Sequence, residues 1–271
     1  MKISIKLNSK TYNIDISNPI DLSIPILFNG EQPNSYNVPK AKAGAYEDGD
    51  FIGDVRRGGG CNFETYIITP HCNGTHTECI GHITKERISV NDILEDIFIP
   101  STLITCQIEK INESTDTYYG IEEEEDYIIS KSSIKSALEN IEMVRENNFL
   151  DGLIIRTLPN LESKKTTNYM KNQPAYLSKE AIDFITELGI KHLLVDIPSL
   201  DKTFDGGRLN NHHTFWGIEF GKNNAVNISI KTVTELIYVY DQTQDGKYLL
   251  NLQIAPFTAD ASPSRPIIFK I

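Results

Sequence analysis

The chain has 271 residues, of which 39% are hydrophobic, and it carries a formal net charge of −11. A chain of this length can bury a full hydrophobic core, whereas its negative field repels phosphate backbones and anionic lipid. Nucleic acid and membrane surfaces are therefore not expected as partners.

The predicted elements begin with a β-hairpin. Hydrophobic residues alternate with polar ones in the segments 3–7 and 12–16, which is typical of two half-buried strands. The segment from Pro19 to Gly60 is rich in Pro, Gly, Asn and Tyr and has few long hydrophobic runs. We predict loops with a functional role there.

The segment from His71 to His82 has a dense set of metal-ligand side chains, with three imidazoles, two thiols and a carboxylate in twelve positions. If the segment is extended, His76 and Glu78 point to the same side, and Cys72 and His82 are near enough to converge on the same ion through a bend. These groups are ligands of zinc and related divalent ions. The segment therefore predicts a Zn²⁺ or Mn²⁺ site; the alternative is a loop that is merely rich in polar residues.

The middle of the chain begins with a predicted strand at 103–108. An acidic run follows, from Glu122 to Asp126. Because like charges in a row extend and repel one another, we interpret this run as a solvated loop rather than a cation-binding patch.

Two α/β units follow the acidic run. In the first, Ile134, Leu138, Ile141 and Val144 have helical spacing, and the segment 152–156 is typical of a buried strand.

In the second unit, Ser178 is a candidate N-cap and Gly189 a candidate stop for a helix, and the segment 192–196 is typical of a strand. We interpret His192, inside that apolar strand, as a packing residue. The strand-helix-strand order predicts a crossover in a partly parallel sheet.

A second histidine cluster, His212-His213, lies far from the first along the chain. Adjacent side chains diverge in a strand, so at most one of the two is expected to face a shared site. A site assembled by the fold from both clusters is typical of a metal hydrolase, in which the metal lowers the pKa of a bound water to about 7 and makes it the nucleophile.

The end of the chain returns to β structure. The segments 237–240 and 248–254 flank Asp245-Gly246, which predicts a hairpin, and 266–271 is a final strand. With no repeat or linker dividing the sequence, we predict a single α/β domain over 1–271, with a large mixed or barrel-like sheet and flanking helices.

The location of the protein is predicted from three features. No apolar stretch has the length of a membrane span, and the alternating N-terminal segment 1–7 is not typical of a signal peptide. The four cysteines form no CxxC pair and are too few for a disulfide scaffold. We therefore expect a cytoplasmic protein.

The segment 72–82 resembles the HxGTHxDxPxH signature of the cyclase family, which includes bacterial kynurenine formamidase and isatin hydrolase. Four further segments resemble motifs of the family in the same order: 21–23 its "DLS", 152–157 its "LLRT" strand, 195–201 its "GIDxPSxD" and 262–265 its "SPxR". The resemblance thus spans nearly the whole chain.

The resemblance implies a swivelling β/β/α architecture, a homo-oligomer (dimer or tetramer) and a divalent metal ion. Carried over to this chain, it implies that Cys72, His76 and Glu78 bind the metal. It further implies that His213, or alternatively His212, is a later ligand. The resemblance also implies that His82, the last residue of the motif, is the general acid/base.

The chain departs from the family pattern at three positions. Cys72 stands where the family has its first His, with His71 beside it as an alternative ligand, and a thiolate favours zinc over manganese. Glu78 replaces the motif Asp. Where the family has a downstream Glu, the segment 226–229 has no carboxylate, and Glu219 is the nearest alternative. A second metal is therefore doubtful.

The function implied by the resemblance is that of a metal-dependent hydrolase of a small amide, ester or lactam. It would be similar to an arylformamidase, acting on C–N bonds other than peptide bonds through a metal-activated water. The partner would be a small-molecule substrate. The alternative is a degenerate family member that binds a metal or a small ligand without catalysis.

Overall fold

The computed structural model describes residues 1–7, 9–119, 123–141, 149–225 and 227–271. Its helices are α1 (Pro70–Asn73), α2 (Val90–Ile93), α3 (Lys131–Glu139), α4 (Lys179–Glu187) and α5 (Asn210–Trp216). Its strands are β1 (Lys2–Leu7), β2 (Lys10–Asp15), β3 (Ile20–Asp21), β4 (Lys42–Ala45), β5 (Glu47–Asp48), β6 (Phe51–Ile52), β7 (Glu64–Ile67), β8 (His76–Cys79), β9 (Phe98–Gln107), β10 (Glu109–Lys110), β11 (Tyr127–Ile129), β12 (Gly152–Leu158), β13 (Tyr176–Leu177), β14 (His192–Val195), β15 (Thr232–Glu235), β16 (Gly246–Asn251), β17 (Ala261–Pro263) and β18 (Ile267–Lys270). Glu122, Val144 and Val226, which belong to segments interpreted in the sequence analysis, lie outside the described residues.

A nine-stranded sheet in the order β17-β8-β15-β14-β12-β9-β16-β18-β3 organises the molecule. The neighbours from β15 to β9 pair in parallel, and the strands on either side of them pair antiparallel. The sheet curls into a half-barrel, and the fold has few helices. The predicted α/β class with a mixed, barrel-like sheet and flanking helices is confirmed.

The core lies on both faces of the central strands, because side chains alternate along a strand. Leu153 and Ile155 pack in a cluster with residues of α3 and α4, whereas Ile154 packs in a second cluster on the other face. The strands β12 and β14 are buried almost throughout, as expected of parallel strands covered on both sides.

The crossover from β12 through α4 to β14 is confirmed, and the two strands pair directly and in parallel. Ser178 caps α4, since its hydroxyl accepts a hydrogen bond from the Ala181 amide. The predicted N-terminal hairpin is confirmed as the β1–β2 pair. None of the helices in the described ranges is both long and apolar enough to cross a membrane.

The predicted C-terminal hairpin is wrong. β16 pairs with β9 and β18 rather than with the segment 237–240. The Asp245 carboxylate, directly before β16, accepts hydrogen bonds from the amide and hydroxyl of Thr105 on β9, which holds β16 against β9.

The acidic run is only partly a solvated loop. Glu123, Glu124 and Glu125 are exposed, but Asp126 is buried. Its carboxylate pairs with the buried Lys202 ammonium at 2.6 Å and accepts a hydrogen bond from the Tyr176 hydroxyl at 2.9 Å. Burial of a charge requires such partners, which a pattern of like charges does not reveal.

Candidate metal centre

The strand β8 lies between β15 and β17 and is buried along its whole length. His76 and Glu78 are two residues apart on this strand, so their side chains share one face, as the sequence predicts for an extended segment. The antiparallel register places Glu235 of β15 directly opposite His76. Three ionisable side chains are thus brought together by strand alternation and strand pairing.

The two residues before β8 fix the position of the strand. The Thr75 hydroxyl accepts a hydrogen bond from the Ile24 amide and donates one to the Leu236 carbonyl. At Gly74, a Cβ atom would lie 3.2 Å from the Ile24 carbonyl oxygen and 3.0 Å from the Ile26 side chain, so this close approach favours glycine.

Hydrogen bonding fixes the tautomer of the His76 ring. Its Nδ1 lies 3.1 Å from the Gly74 carbonyl oxygen, and because a carbonyl only accepts, Nδ1 donates. The opposite nitrogen, Nε2, faces Glu235 Oε2 at 3.4 Å. A neutral imidazole held in this way presents a lone pair, which is the usual orientation of a metal-binding histidine.

Donor atoms of His76, Glu78 and Glu235 all lie within 4.8 Å of one another and are buried. In the described part of the chain, His76 Nε2 and Glu78 Oε2 are buried polar atoms that make no hydrogen bond. Burying such atoms without a hydrogen bond costs free energy, which a cation between them would offset. An imidazole with two carboxylates therefore fits a divalent metal.

A second donor group shares Glu78 and consists of His71, Glu78 and His82. His71 Nδ1 lies 2.9 Å from Glu78 Oε2, without the angle of a hydrogen bond, and His71 Nε2 lies 3.0 Å from Asp260 Oδ2. His82 has the same two neighbours at longer range, with Nδ1 3.4 Å from Asp260 and Nε2 3.9 Å from Glu78. Asp260 thus links the two histidines.

The electrostatics of this group favour charged forms. Burial lowers the pKa of His71, but the hydrogen bond to Asp260 and the nearby Glu78 carboxylate outweigh burial and raise it to about 10. The same hydrogen bonds from His71 and His82 hold the pKa of Asp260 well below its usual range. His71 is therefore an imidazolium between two carboxylates at neutral pH.

Of the pair His212-His213, it is His212 that contacts the candidate centre. Its Nε2 lies 2.9 Å from Glu78 Oε1 and its Nδ1 lies 2.6 Å from Asp201 Oδ2. Burial lowers the pKa of His212, but these carboxylates and Glu235 outweigh burial and raise it well above the usual value. Burial conversely raises the pKa of Glu78, but the neighbouring His82 and the hydrogen bond from His212 outweigh burial and hold it well below the usual value, so the carboxylate is ionised.

His213 lies outside both donor groups. The pair belongs to the helix α5 rather than to a strand, so the two rings point about 100° apart instead of to opposite faces. His213 Nδ1 donates to the Ile218 carbonyl at 3.3 Å, and burial lowers the pKa of its ring. Trp216 and Phe215, on the same helix, are buried, as a core role requires.

Cys72, Glu219 and His192 also lie outside the two donor groups. Cys72 is buried in the short helix α1, where burial and the Glu235 charge raise the pKa of its thiol to about 11. Glu219 is exposed and pairs with Lys222. His192 bonds Thr232 and Asp96, so its contacts are those of a packing residue.

Two residues of this region, Glu235 and Asp260, were missed by the sequence analysis. Glu235 ends the buried strand β15, and a carboxylate at the end of a buried strand was a signal that could have found it. Asp260 directly precedes β17 and the "SPxR" segment, but nothing in its local pattern relates it to His71 and His82.

Two cavities of the described residues differ in size and in the side chains that line them. The larger one, of about 1080 Å³, is lined mainly by apolar side chains and by Thr75, but by none of the histidines. A smaller one, of about 270 Å³, is bordered by His82 and His213. We take the smaller cavity as the one that serves the centre, since its wall includes a member of a donor group.

The family model described as "Putative cyclase" matches residues 14–202. The chain is 26% identical over 260 residues to a kynurenine formamidase of Bacillus cereus, covering 94% of this chain and 96% of the relative.

Two solved structures share the fold. Isatin hydrolase A from Labrenzia aggregata superposes with a TM-score of 0.60 at 15% identity, covering 93% of each chain. A predicted metal-dependent hydrolase from Bacillus stearothermophilus superposes with a TM-score of 0.56 at 15% identity, covering 93% of this chain and 98% of that one.

Proposed function

Since the chain belongs to the cyclase family, we propose that it is a metal-dependent hydrolase of a small amide, ester or lactam, with aryl formamides as the first substrates to test. The observation that carries the proposal is the pair of buried atoms without hydrogen-bond partners, His76 Nε2 and Glu78 Oε2, within one donor group of the described chain. The names of the relatives agree with it.

We assign the metal to His76, Glu78 and Glu235. His76 is supported by its tautomer, since Nδ1 donates to Gly74 and leaves Nε2 available. In the second group, by contrast, both ring nitrogens of His71 face carboxylates. The proposal is therefore one ion, in the first group.

The proposed ion is Zn²⁺ or Mn²⁺. The preference for zinc in the sequence analysis depends on a thiolate ligand, and Cys72 lies outside the donor groups of the described chain. Imidazole with two carboxylates suits both ions, so the donor set alone does not favour zinc.

The bound ion would supply Lewis-acid chemistry, by polarising a carbonyl group and activating a water. We assign the movement of protons to His82, whose Nε2 is directed towards Glu78 at 3.9 Å while Asp260 lies 3.4 Å from its Nδ1. Asp260 holds the ring from one side, so Nε2 can take a proton and pass it to the leaving amine or alcohol. The buried Asp201 likewise holds His212 in place.

The test is hydrolysis of formanilide by the purified chain, together with a panel of amides, lactams and esters. We expect formate release that is lost on chelation and restored by added Zn²⁺ or Mn²⁺. The outcome that contradicts the proposal is a protein that hydrolyses nothing in the panel in the presence of either ion. If that protein still binds the ion, the alternative function of binding without catalysis is correct.

We further propose that the chain forms a homo-oligomer through the β4–β7 ribbon. All four residues of β7 are exposed, including Tyr66 at 56% and Ile67 at 63%. A two-stranded ribbon is marginally stable alone, and an exposed apolar surface of this kind is typical of an interface. The ribbon also forms a wall of the larger cavity, through Tyr66 and Ile67.

Substitution of Ile67→Lys is expected to shift the protein from oligomer to monomer, because it places a charge in the apolar interface. Sedimentation or light scattering at matched concentration measures the shift. Ile97→Lys is the matched control, since Ile97 is 57% exposed and lies outside the ribbon. A wild-type protein that is monomeric, or an oligomer that Ile67→Lys leaves intact, contradicts the proposal.

A further inference from the structure

The smaller cavity lies beside the proposed proton carrier. Its walls combine apolar and polar groups, among them His82, Ile83, Lys85, His213 and Asn223. With a volume of about 270 Å³ it lies at the small end of ligand pockets, which suits one ring or a short chain. Because His82 borders this cavity, a group bound in the cavity lies close to the ring of the proposed proton carrier.

Hydrogen bonding within the wall leaves one ring nitrogen available. The Asn223 side-chain NH₂ group donates to the Ile83 backbone carbonyl. The Asn223 backbone carbonyl accepts from the Lys85 backbone amide. His213 Nδ1 donates to the Ile218 carbonyl. Among the described residues, His213 Nε2 has no hydrogen-bond partner, and it is not one of the fully buried polar atoms.

The His213 side chain is otherwise held in place. The residue is only 6% exposed, and its ring lies 6.0 Å from the Phe220 ring, edge to face. A buried ring with one nitrogen committed to a carbonyl presents the other in a fixed direction, as an acceptor. The nitrogen is accessible and its residue borders the cavity, so the acceptor is available to a molecule bound there.

We propose that this cavity is a subsite for the leaving group of the substrate, in which His213 Nε2 accepts a hydrogen bond from a hydroxyl or amino substituent. This inference rests on the proposed function, because it takes His82 as the proton carrier. The substrate class is then an aryl amide whose ring carries an O–H or N–H donor. His213, predicted from the sequence as a metal ligand, is assigned to substrate selection instead.

The test compares hydroxyl-substituted formanilides with fluoro-substituted ones, at each of the three ring positions, using the metal-loaded full chain. Fluorine is similar in size to hydroxyl but donates no hydrogen bond. We expect the ratio of kcat/KM, hydroxyl over fluoro, to be about fivefold higher in the wild type than in His213→Phe at one ring position at least. The electronic effect of the substituent cancels, because it acts on both proteins.

The variant His213→Gln supplies an amide oxygen as a replacement acceptor and is expected to keep most of the preference. Equal ratios in the wild type and His213→Phe, with metal content and thermal unfolding unchanged, overturn the inference. Binding of the three hydroxyanilines and fluoroanilines, followed by NMR titration, is the second readout. If the chain hydrolyses nothing in the panel of amides, lactams and esters but shows the His213-dependent preference in binding, the proposed function fails and the cavity stands as a binding site for the aryl amine.

Discussion

Replacement of Glu78 by glutamine is expected to abolish metal binding and to reduce hydrolysis to the background rate. Glu78 belongs to both donor groups, and its Oε2 is one of the two buried atoms of the His76–Glu78–Glu235 group that make no hydrogen bond. An amide keeps the size of the side chain but removes the charge that a divalent ion requires. Elemental analysis and formanilide hydrolysis measure the two losses.

The same substitution is expected to destabilise the metal-free protein by about 1.5–3 kcal/mol, because the buried His212 loses one charged partner and keeps Asp201 and Glu235. Urea unfolding in the presence of chelator measures this change. Glu78→Asp retains the charge and is expected to keep metal and activity, which separates loss of the ligand from loss of the fold.

Glu219→Gln is the matched control for Glu78→Gln. Glu219 is the other glutamate that the sequence analysis raised as a ligand, and it is exposed and paired with Lys222. Its replacement is expected to leave metal content and activity unchanged. Normal metal binding by Glu78→Gln, or loss of metal in Glu219→Gln, contradicts the assignment.

Substitution of His82→Ala is expected to lower kcat by about 10²–10⁴-fold, the usual worth of a general acid/base, while the metal content remains near that of the wild type. The reason is that His82 lies outside the group assigned to the metal but contacts Glu78 and Asp260. Steady-state kinetics on formanilide, with metal analysis of the same sample, measures both quantities.

His192→Asn is the control for this variant. His192 is buried and, like His82, contacts a carboxylate, in this case Asp96, on a different part of the sheet. We expect it to lose stability without a comparable loss of kcat per folded molecule. Loss of the metal in His82→Ala would assign His82 to the metal shell, and an unchanged kcat would remove it from the mechanism.

Strand periodicity explains why part of the centre could be predicted. His76 and Glu78 are two apart in a segment that the structure shows to be extended, so local pattern alone placed them on one face. The α/β units were predictable for the same reason, because Ser178 and the apolar spacing behind it are local signals of a helix.

Glu235 could not be derived from a local pattern, because it reaches His76 only through the pairing of β15 with β8. The pairing is between segments far apart in sequence, and no turn links them. The family resemblance implies a downstream glutamate, but the segment 226–229, where that glutamate was expected, precedes the strand that carries Glu235.

Cys72 and His213, which the family resemblance implies as ligands, lie outside the donor groups of the described residues. The helix α1 contains both His71 and Cys72, so the two side chains leave the backbone in different directions, and His71 is the one that meets Glu78. The helix α5 does the same for His212 and His213. In both helices two adjacent side chains point in different directions, so only one of the two contacts the centre.

The most direct test of the account is a crystal structure of the metal-loaded protein with anomalous diffraction at the zinc or manganese edge. The account predicts one strong peak within bonding distance, about 2.0–2.2 Å for zinc, of His76 Nε2 and of carboxylate oxygens of Glu78 and Glu235. A peak bound by Cys72 and not by Glu235, or no peak in a protein saturated with either metal, would contradict it.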